Sequence, residues 1–339
     1  METITVQKNQ EGQRLDRILA RYLEQAPKSF FYRMLRKKNI TLNGKKAAGN
    51  ERLKEGDTIT LFLSPETIAR FQGDKRPAEE ALRKPAGAMP EIVYEDREVL
   101  LFNKPAGMLT QKARKEDTSL NDWLLYHALE NGELTGEELN LFRPSVCNRL
   151  DRNTSGLVTA GKTLAGLREM NSLLRERTMK KYYLTLAAGQ VKADHVHGYL
   201  AKDSGNNQVK IYDSRDVRRP SDAVETETAW TPLEYRNGLT LLKVHLITGR
   251  SHQIRAQLAW AGHPVAGDGK YGSPRLNRRL RENYGLKHQL LHAWQMEFPL
   301  CTGALSGLSG SCQIADPPAL FRRILREEGF LWQPGIPEA

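Results

Sequence analysis

The stretch NRLDRNTSGLVTAGKT, residues 148–163, places one aspartate between two arginines just before an apolar run. Arg149 and Arg152 flank Asp151, and nearby cations favour the ionised form of a carboxylate. An ionised aspartate is a poor general acid, but it is suited to act as a nucleophile or to stabilise positive charge on a sugar ring. Asp151 is therefore a candidate catalytic residue, and a structural ion pair at a turn is the alternative.

A second group of polar residues lies in LITGRSHQIRAQLAWAGHPVAGDGKYG, residues 246–272. The pattern predicts a strand that ends near Gly249 and a helix that carries His252, Gln253, Arg255 and Gln257. Arg255 is suited to bind phosphate or to hold a catalytic carboxylate in its charged state. A solvent-exposed helix face is the alternative interpretation.

A third candidate, Tyr183, begins an apolar strand within MKKYYLTLAAG, residues 179–189, directly after Lys180 and Lys181. A buried tyrosine in such a strand is most often a core residue. The residues alone therefore leave two interpretations of Tyr183, a core tyrosine and a functional one.

Several common sites have no support in the sequence. The chain lacks the patterns HExxH and GxSxG, and it has only single matches to GxGxxG, at 267–272, and to GxxxxGK[ST], at 156–163. We expect no cofactor and no metal. His195 and His197 read as an isolated pair on a loop, and His288 and His292 have no third ligand at metal-binding spacing. Structural or surface roles are the interpretation for all four histidines.

The charge distribution indicates an anionic partner. The 339 residues carry a net charge of +11, and nucleic acid is the partner that this balance favours. Residues 1–70 hold 14 Lys and Arg against 8 Asp and Glu, more than half of the net charge. Two amphipathic helices, a hairpin turn at Asn43-Gly44 and a closing strand at 58–63 are predicted there. Cations suited to phosphate contacts cluster at Arg33, Arg36, Lys37 and Lys38.

Composition along the chain predicts how it divides into domains. We expect an N-terminal domain at 1–72, a Pro- and Ala-rich linker at 73–90, a second, larger domain at 91–325 and a tail at 326–339. Strand-like and helix-like runs alternate in the large domain, which indicates a mixed α/β or α+β fold. Three unpaired cysteines, no signal-peptide pattern and no long apolar run predict a cytoplasmic protein without membrane contact.

Two known families share these motifs. RLDRILARYL, SFFYRMLRKKNITLNGKKA and LKEGDTITL resemble an S4 domain, a small RNA-binding module. The rest of the chain resembles the RluA-type RNA pseudouridine synthases, including the members that modify large-subunit ribosomal RNA. The motifs that carry this second resemblance are NKPAG at 103–107, NRLDRNTSGL at 148–157, KKYYLTLAAG at 180–189, TGRSHQIRAQLA at 248–259, AGDGKYG at 266–272 and LLHAWQMEF at 290–298.

The resemblance implies roles for five residues. Asp151 corresponds to the essential aspartate, Tyr183 to the active-site tyrosine beside the uridine, and Arg255 to the arginine that pairs with the aspartate. Arg149 corresponds to the arginine that fills the space left by a flipped-out base, and Ile254 to the apolar residue that packs on the pocket. The implied catalytic fold is a mixed, mostly antiparallel sheet flanked by helices.

The implied reaction breaks the N1–C1′ bond of uridine, rotates the uracil and rejoins it through C5, without redox cofactor or metal. The expected substrate is RNA, most often 23S ribosomal RNA or its assembly intermediates in members with an S4 domain, and transfer RNA is the alternative. No obligate protein partner is expected. A non-catalytic RNA-binding protein and an N-glycosidase with Asp268 or Glu95 as a second acid are the rival interpretations. The chain departs from the family at Asn148, Asn153 and Gln257, and residues 129–145 read as a subgroup insertion.

Overall fold

The structure, a computed structural model, describes residues 1–72, 83–136, 138–203 and 208–332. Two sheets, each with its own apolar core, account for most of these residues. Of the predicted linker, residues 73–82 lie outside the described residues and residues 83–90 form no helix or strand. Residues 333–339 of the predicted tail also lie outside the described part.

The N-terminal unit packs three helices on a small antiparallel sheet in the order β1-β4-β2-β3. Its elements are β1 Glu2–Thr5, α1 Leu15–Tyr22, α2 Lys28–Arg36, β2 Ile40–Leu42, β3 Lys45–Lys46, β4 Thr58–Leu61 and α3 Pro65–Gln72. The two predicted amphipathic helices are confirmed, because their apolar faces form the core. The turn at Asn43-Gly44 has positive φ at both residues (49° and 71°), which a two-residue hairpin requires. The N-terminal strand β1 was not predicted.

The larger unit contains a sheet in the order β11-β10-β12-β13-β9-β14-β8-β6-β5, with β15 beside β14 and β7 beside β8. Its strands are β5 Glu91–Glu95, β6 Val99–Lys104, β7 Ser145–Val146, β8 Ser155–Gly161, β9 Lys180–Ala188, β10 Asp194–Asp203, β11 Gln208–Asp213, β12 Val224–Arg236, β13 Leu239–Leu246, β14 Leu291–Glu297 and β15 Cys312–Ile314. Strands β14 and β8 pair in parallel, and the other pairs between described strands are antiparallel. The α+β class with a mixed, mostly antiparallel sheet is confirmed.

Five helices cover this sheet: α4 Leu120–Glu130, α5 Leu164–Glu176, α6 Gln253–Trp260, α7 Pro274–Tyr284 and α8 Ala319–Glu327. Alternate residues of a strand point to opposite faces, so Tyr183 packs with α4 and α6 whereas Leu184 packs with α7 and α8. Helix α5 covers the second face nearer to β6. Phe330, beyond α8, is buried in the same core as Leu184.

A few direct contacts join the two units. Arg168 of α5 donates to the carbonyl of Gly12 (3.1 Å), and Arg21 of α1 donates to the carbonyl of Leu141 (3.4 Å). Leu141, from the predicted insertion at 129–145, is buried in the core of the N-terminal unit. That segment therefore connects the units structurally. None of the described helices has both the length and the apolar character needed to cross a membrane.

Candidate active site

The larger unit has a cleft of about 1020 Å³ on the face that α6 covers. Asp151 and Arg149 enter it from the loop between β7 and β8, and Tyr183 enters from β9. Ile254 and Arg255 line it from the first turn of α6. The structure thus brings together five residues that are spread between positions 149 and 255 of the chain.

Asp151 sits in a tight turn, in which its carbonyl accepts from the amide of Thr154 (3.0 Å). Arg255 Nη1 donates to Asp151 Oδ2 at 2.7 Å. Within the described residues, Oδ1 has no hydrogen-bond partner, and 24% of the side chain is exposed. One oxygen of Asp151 therefore anchors the carboxylate, and the other is open to the cleft.

A second carboxylate, Asp268, fixes the arginine. Arg255 Nε donates to Asp268 Oδ2 (2.6 Å) and Nη2 donates to Oδ1 (2.8 Å), the two-point geometry typical of strong arginine–carboxylate pairs. Asp268 is fully buried and also accepts from the amides of Lys270 and Tyr271. Burial opposes charge at both groups, but their pairing raises the pKa of Arg255 and lowers that of Asp268. Both remain charged, and Arg255 is held in one orientation.

This geometry bears on the N-glycosidase interpretation. Both oxygens of Asp268 are engaged, so no lone acid is available there to activate water. Glu95 bonds Lys162 (2.7 Å) and His127 (3.0 Å) and does not line the cleft. Neither predicted second acid stands opposite Asp151.

His252 precedes α6 in the left-handed region (φ 58°) and approaches Asp151 Oδ2 with Nε2 at 3.9 Å. The amide of Val209 donates to Tyr271 Oη (2.8 Å), which leaves the phenol proton for His252 Nδ1 (2.9 Å). In that arrangement Nε2 carries the ring proton and faces the aspartate. Burial lowers the pKa of His252, and the attraction of Asp151 does not restore it. His252 is therefore a neutral imidazole at neutral pH.

Tyr183 is 5% exposed, and within the described residues its hydroxyl has no hydrogen-bond partner. Burial, reinforced by the negative charge of Asp151, raises the pKa of the phenol well above its usual value. Tyr183 consequently stays protonated, with the ring packed in the core and part of its surface lining the cleft.

Lys104, in the NKPAG motif, was not predicted as a site residue. Its ammonium is fully buried and donates to the carbonyls of Pro105 (3.0 Å), Met108 (2.8 Å) and Arg152 (3.1 Å). Burial lowers the pKa of Lys104 to about 7 against the attraction of Asp151. Lys104 thus ties the 105–108 loop to the residue that follows Asp151.

The remaining predicted residues divide into exposed and structural ones. Arg149 is exposed, lines the cleft and makes no hydrogen bond or ion pair within the described residues. Asn148, where the chain departs from the family, accepts from the amide of Thr159 at 2.7 Å. Gln257 is fully buried and accepts from the hydroxyl of Thr228 (2.5 Å). Asn153 lines the cleft.

The basic cluster of the N-terminal unit lies on the last turn of α2 and the residues after it. Arg33, Arg36, Lys37 and Lys38 are exposed, and within the described residues none of their side chains makes a hydrogen bond or an ion pair. These cations remain available to an anionic partner.

Comparisons with known proteins agree with this architecture. The RNA pseudouridylate synthase family matches residues 98–260, and the S4 domain family matches residues 13–59. The ribosomal large subunit pseudouridine synthase C of Vibrio parahaemolyticus is 31% identical over 88% of both chains. Its Escherichia coli counterpart is also 31% identical over 88% of both chains. The solved human RNA pseudouridylate synthase domain containing 4 aligns with a TM-score of 0.55 at 20% identity, over 74% of this chain and 95% of that one.

The fold and the site define an RNA-modifying enzyme with an S4 domain. This chain belongs to the RNA pseudouridylate synthase family, whose members are isomerases. The family relationship suggested by the motifs is confirmed.

Proposed function

We propose that this protein converts uridines of large-subunit ribosomal RNA into pseudouridine, with Asp151 as the catalytic residue. The observation that carries the proposal is the open Oδ1 of Asp151, whose other oxygen is held by Arg255. Two relatives that share 31% identity over 88% of the chain are ribosomal large subunit pseudouridine synthases, which supports the choice of RNA.

The reaction requires that one carboxylate oxygen reach the sugar of the target nucleotide. Oδ1 of Asp151 serves either as the nucleophile that adds to C1′ or as the base that removes a sugar proton, as the N1–C1′ bond breaks. Arg255 holds the carboxylate in one orientation and acts as a positioning residue. The uracil then rotates, and C5 bonds to C1′ as the bond between Asp151 Oδ1 and C1′ breaks or, on the second route, as the abstracted proton returns to the sugar. N1 takes up a proton and C5 loses one, so the reaction is an isomerisation.

Retention of the freed uracil requires a pocket that excludes water. Tyr183 and Ile254 supply apolar surface to the cleft that Asp151 lines. Because Tyr183 stays protonated, we assign it a packing role against the base and not that of a phenolate base. These assignments are supported by burial and by the shared cleft.

Access to the base requires its extrusion from folded RNA, which costs on the order of a few kcal/mol. We propose that Arg149 fills the vacated space, because it is exposed at the mouth of the cleft without a protein partner. Phosphate contacts from Arg33, Arg36, Lys37 and Lys38 offset the rest of the cost.

We also propose the organisation into a 1–72 RNA-binding domain, a 73–90 linker, a 91–325 catalytic domain and a 326–339 tail. Helix α3 ends at Gln72 and β5 begins at Glu91, which supports the first boundaries. Since ribosomal RNA is the proposed substrate, we propose a cytoplasmic location for the protein.

The test is tritium release from RNA labelled at uridine C5, with large-subunit ribosomal RNA and transfer RNA as separate substrates. We expect release from the ribosomal RNA by the wild type, with pseudouridine as the product. Asp96→Asn is a matched control, because Asp96 accepts from the backbone amides of Glu98 and Val99 outside the cleft. It should retain the activity that Asp151→Asn loses.

Other outcomes distinguish the rivals. Release from transfer RNA alone would overturn the substrate assignment. Tight binding without release from either RNA would favour a non-catalytic RNA-binding protein. Free uracil in place of pseudouridine would identify an N-glycosidase.

A further inference from the structure

Two histidines outside the cleft lie on a strand, so their assignment to a loop was wrong. His195 and His197 are alternate residues of β10, and their side chains therefore point to the same face of the sheet. Glu227 lies directly opposite His197 on the neighbouring strand β12. The antiparallel register brings all three side chains together.

The geometry points to a binding site for one divalent transition-metal ion of the Zn²⁺ type at His195, His197 and Glu227, and we propose this site. His195 Nε2 lies 2.9 Å from Glu227 Oε1, and His197 Nε2 lies 3.0 Å from the same oxygen. One ligand atom from each residue lies within 4.8 Å of the other two. Three ligands around one point, with a fourth position left to water, are a common arrangement for this ion.

The donor set identifies the class of metal. Two imidazoles and one carboxylate suit Zn²⁺, Co²⁺ or Ni²⁺, whereas Mg²⁺ and Ca²⁺ prefer oxygen ligands. The histidine side chains are 54% and 52% exposed, so an ion can enter from solvent without rearrangement of the core. Glu227 is 21% exposed and supplies the negative charge that the ion requires.

Hydrogen bonds to residues that line the cleft fix the backbone of Glu227. Its amide donates to Thr248 Oγ1 (2.8 Å), and its carbonyl accepts from Gln253 Nε2 (3.0 Å). Thr248 precedes the loop that carries His252, and Gln253 begins α6. The carboxylate is consequently presented from a rigid strand, which lowers the entropy lost when an ion binds.

The alternative is a pair of imidazole N–H groups that simply donate to Glu227. That arrangement needs the proton on Nε2 of both rings, whereas metal binding needs the lone pair there and the proton on Nδ1. The two alternatives therefore differ in metal affinity and in the tautomer of both rings.

The test titrates the chelator-treated full chain with Zn²⁺ in competition with a coloured chelator, and repeats the titration with Co²⁺ to record its visible ligand-field spectrum. We expect one equivalent to bind the wild type. His195→Ala, His197→Ala and Glu227→Gln should each weaken binding more than about tenfold, since loss of an outer-shell partner alone costs roughly that much.

His127→Ala is the matched control, because His127 also pairs with a carboxylate, Glu95, but has no second histidine beside it. It should bind Zn²⁺ as the wild type does. Zn²⁺ should also raise the Tm of the wild type and of this control, and raise that of His197→Ala by less at the same Zn²⁺ concentration. The proposal is overturned if the wild type binds no Zn²⁺, or if the three variants bind it as tightly as the wild type. Circular dichroism of the metal-free variants verifies that each is folded.

Discussion

The cleft and the N-terminal basic cluster use arginine in opposite ways. Arg255 is 6% exposed at its side chain, and its Nε, Nη1 and Nη2 atoms each donate to a carboxylate. The side chains of Arg33 and Arg36 are exposed and make no hydrogen bond or ion pair within the described residues. The first arrangement fixes the orientation of the Asp151 carboxylate, which a bond-breaking step requires. The second places positive charge where it can attract the phosphates of an RNA chain. The orientation of side chains matters most in the cleft, and positive electrostatic potential matters most at the basic cluster.

Removal of the buried Asp268 carboxylate should have the largest effect, because it acts on the orientation of Arg255 in the cleft. Asp268→Asn leaves Arg255 buried with half of its negative partners, so the arginine no longer fixes Asp151. We expect kcat to fall about 100-fold, the cost of a misplaced catalytic group. The free energy of unfolding should fall by about 3 kcal/mol, because breaking a buried pair leaves an uncompensated charge. Single-turnover tritium release and urea denaturation measure the two effects.

Asp96→Asn is again the control, and it should keep the wild-type rate. An Asp268→Asn variant with an unchanged rate would show that Arg255 does not need its second carboxylate, and the distinction between the two regions would weaken.

The buried residue His292, which bonds Ser155 just after the turn that carries Asp151, should make the stability of the protein sensitive to acid. His292 Nε2 donates to the carbonyl of Ala315 (2.8 Å), and its Nδ1 accepts from the hydroxyl of Ser155 (2.9 Å). Burial lowers the pKa of His292 from 6.5 to about 4. Between these values the unfolded chain binds a proton that the folded chain does not, so stability falls as pH falls.

This single group should cost about 3 kcal/mol of unfolding free energy between pH 6.5 and pH 4, at 1.36 kcal/mol per pKa unit. Denaturation of the wild type and of His292→Gln at both pH values measures the difference. The variant should be less stable at neutral pH and should lose less on acidification. Equal losses in both proteins would mean that His292 is not the group that titrates.

The smallest effect should come from the exposed cluster. Replacing Arg33, Arg36, Lys37 and Lys38 with alanine should weaken RNA binding about tenfold and reduce the dependence of affinity on salt. The saturated rate should not change. Alanines at Arg322, Arg323 and Arg326 of α8 are the control, since they remove surface cations elsewhere. Point substitutions are preferable to deletion of residues 1–72, which would expose Leu141.

An equal loss of affinity in the α8 control would mean that net charge, and not this surface, governs binding. A lower saturated rate in the cluster variant would mean that the N-terminal unit contributes to chemistry.

The sequence predicted some parts of this molecule well, for a physical reason. The periodicities of α1, α2, α5 and β13 are local, so the apolar faces were readable along the chain. Asp151, Tyr183 and Arg255 were located by short motifs, and the structure places all three in one cleft.

Other features depend on distant contacts and were missed. Asp268 was considered only as a rival acid, because its pairing with Arg255 exists only after the chain folds. The hydrogen bond from Lys104 to the carbonyl of Arg152, 48 positions away, exists only after the chain folds. His195 and His197 appeared to be on a loop, since polar residues at alternate positions of an exposed strand face give no apolar signal.

The most direct test of the account compares RNA affinity and the single-turnover rate of tritium release in the wild type and in Asp151→Asn. The account predicts an unchanged Kd for large-subunit ribosomal RNA and a rate reduced on the order of 10³-fold or more, because the cleft performs chemistry and the exposed cations hold the RNA. A variant that still releases tritium at the wild-type rate would contradict the assignment of Asp151.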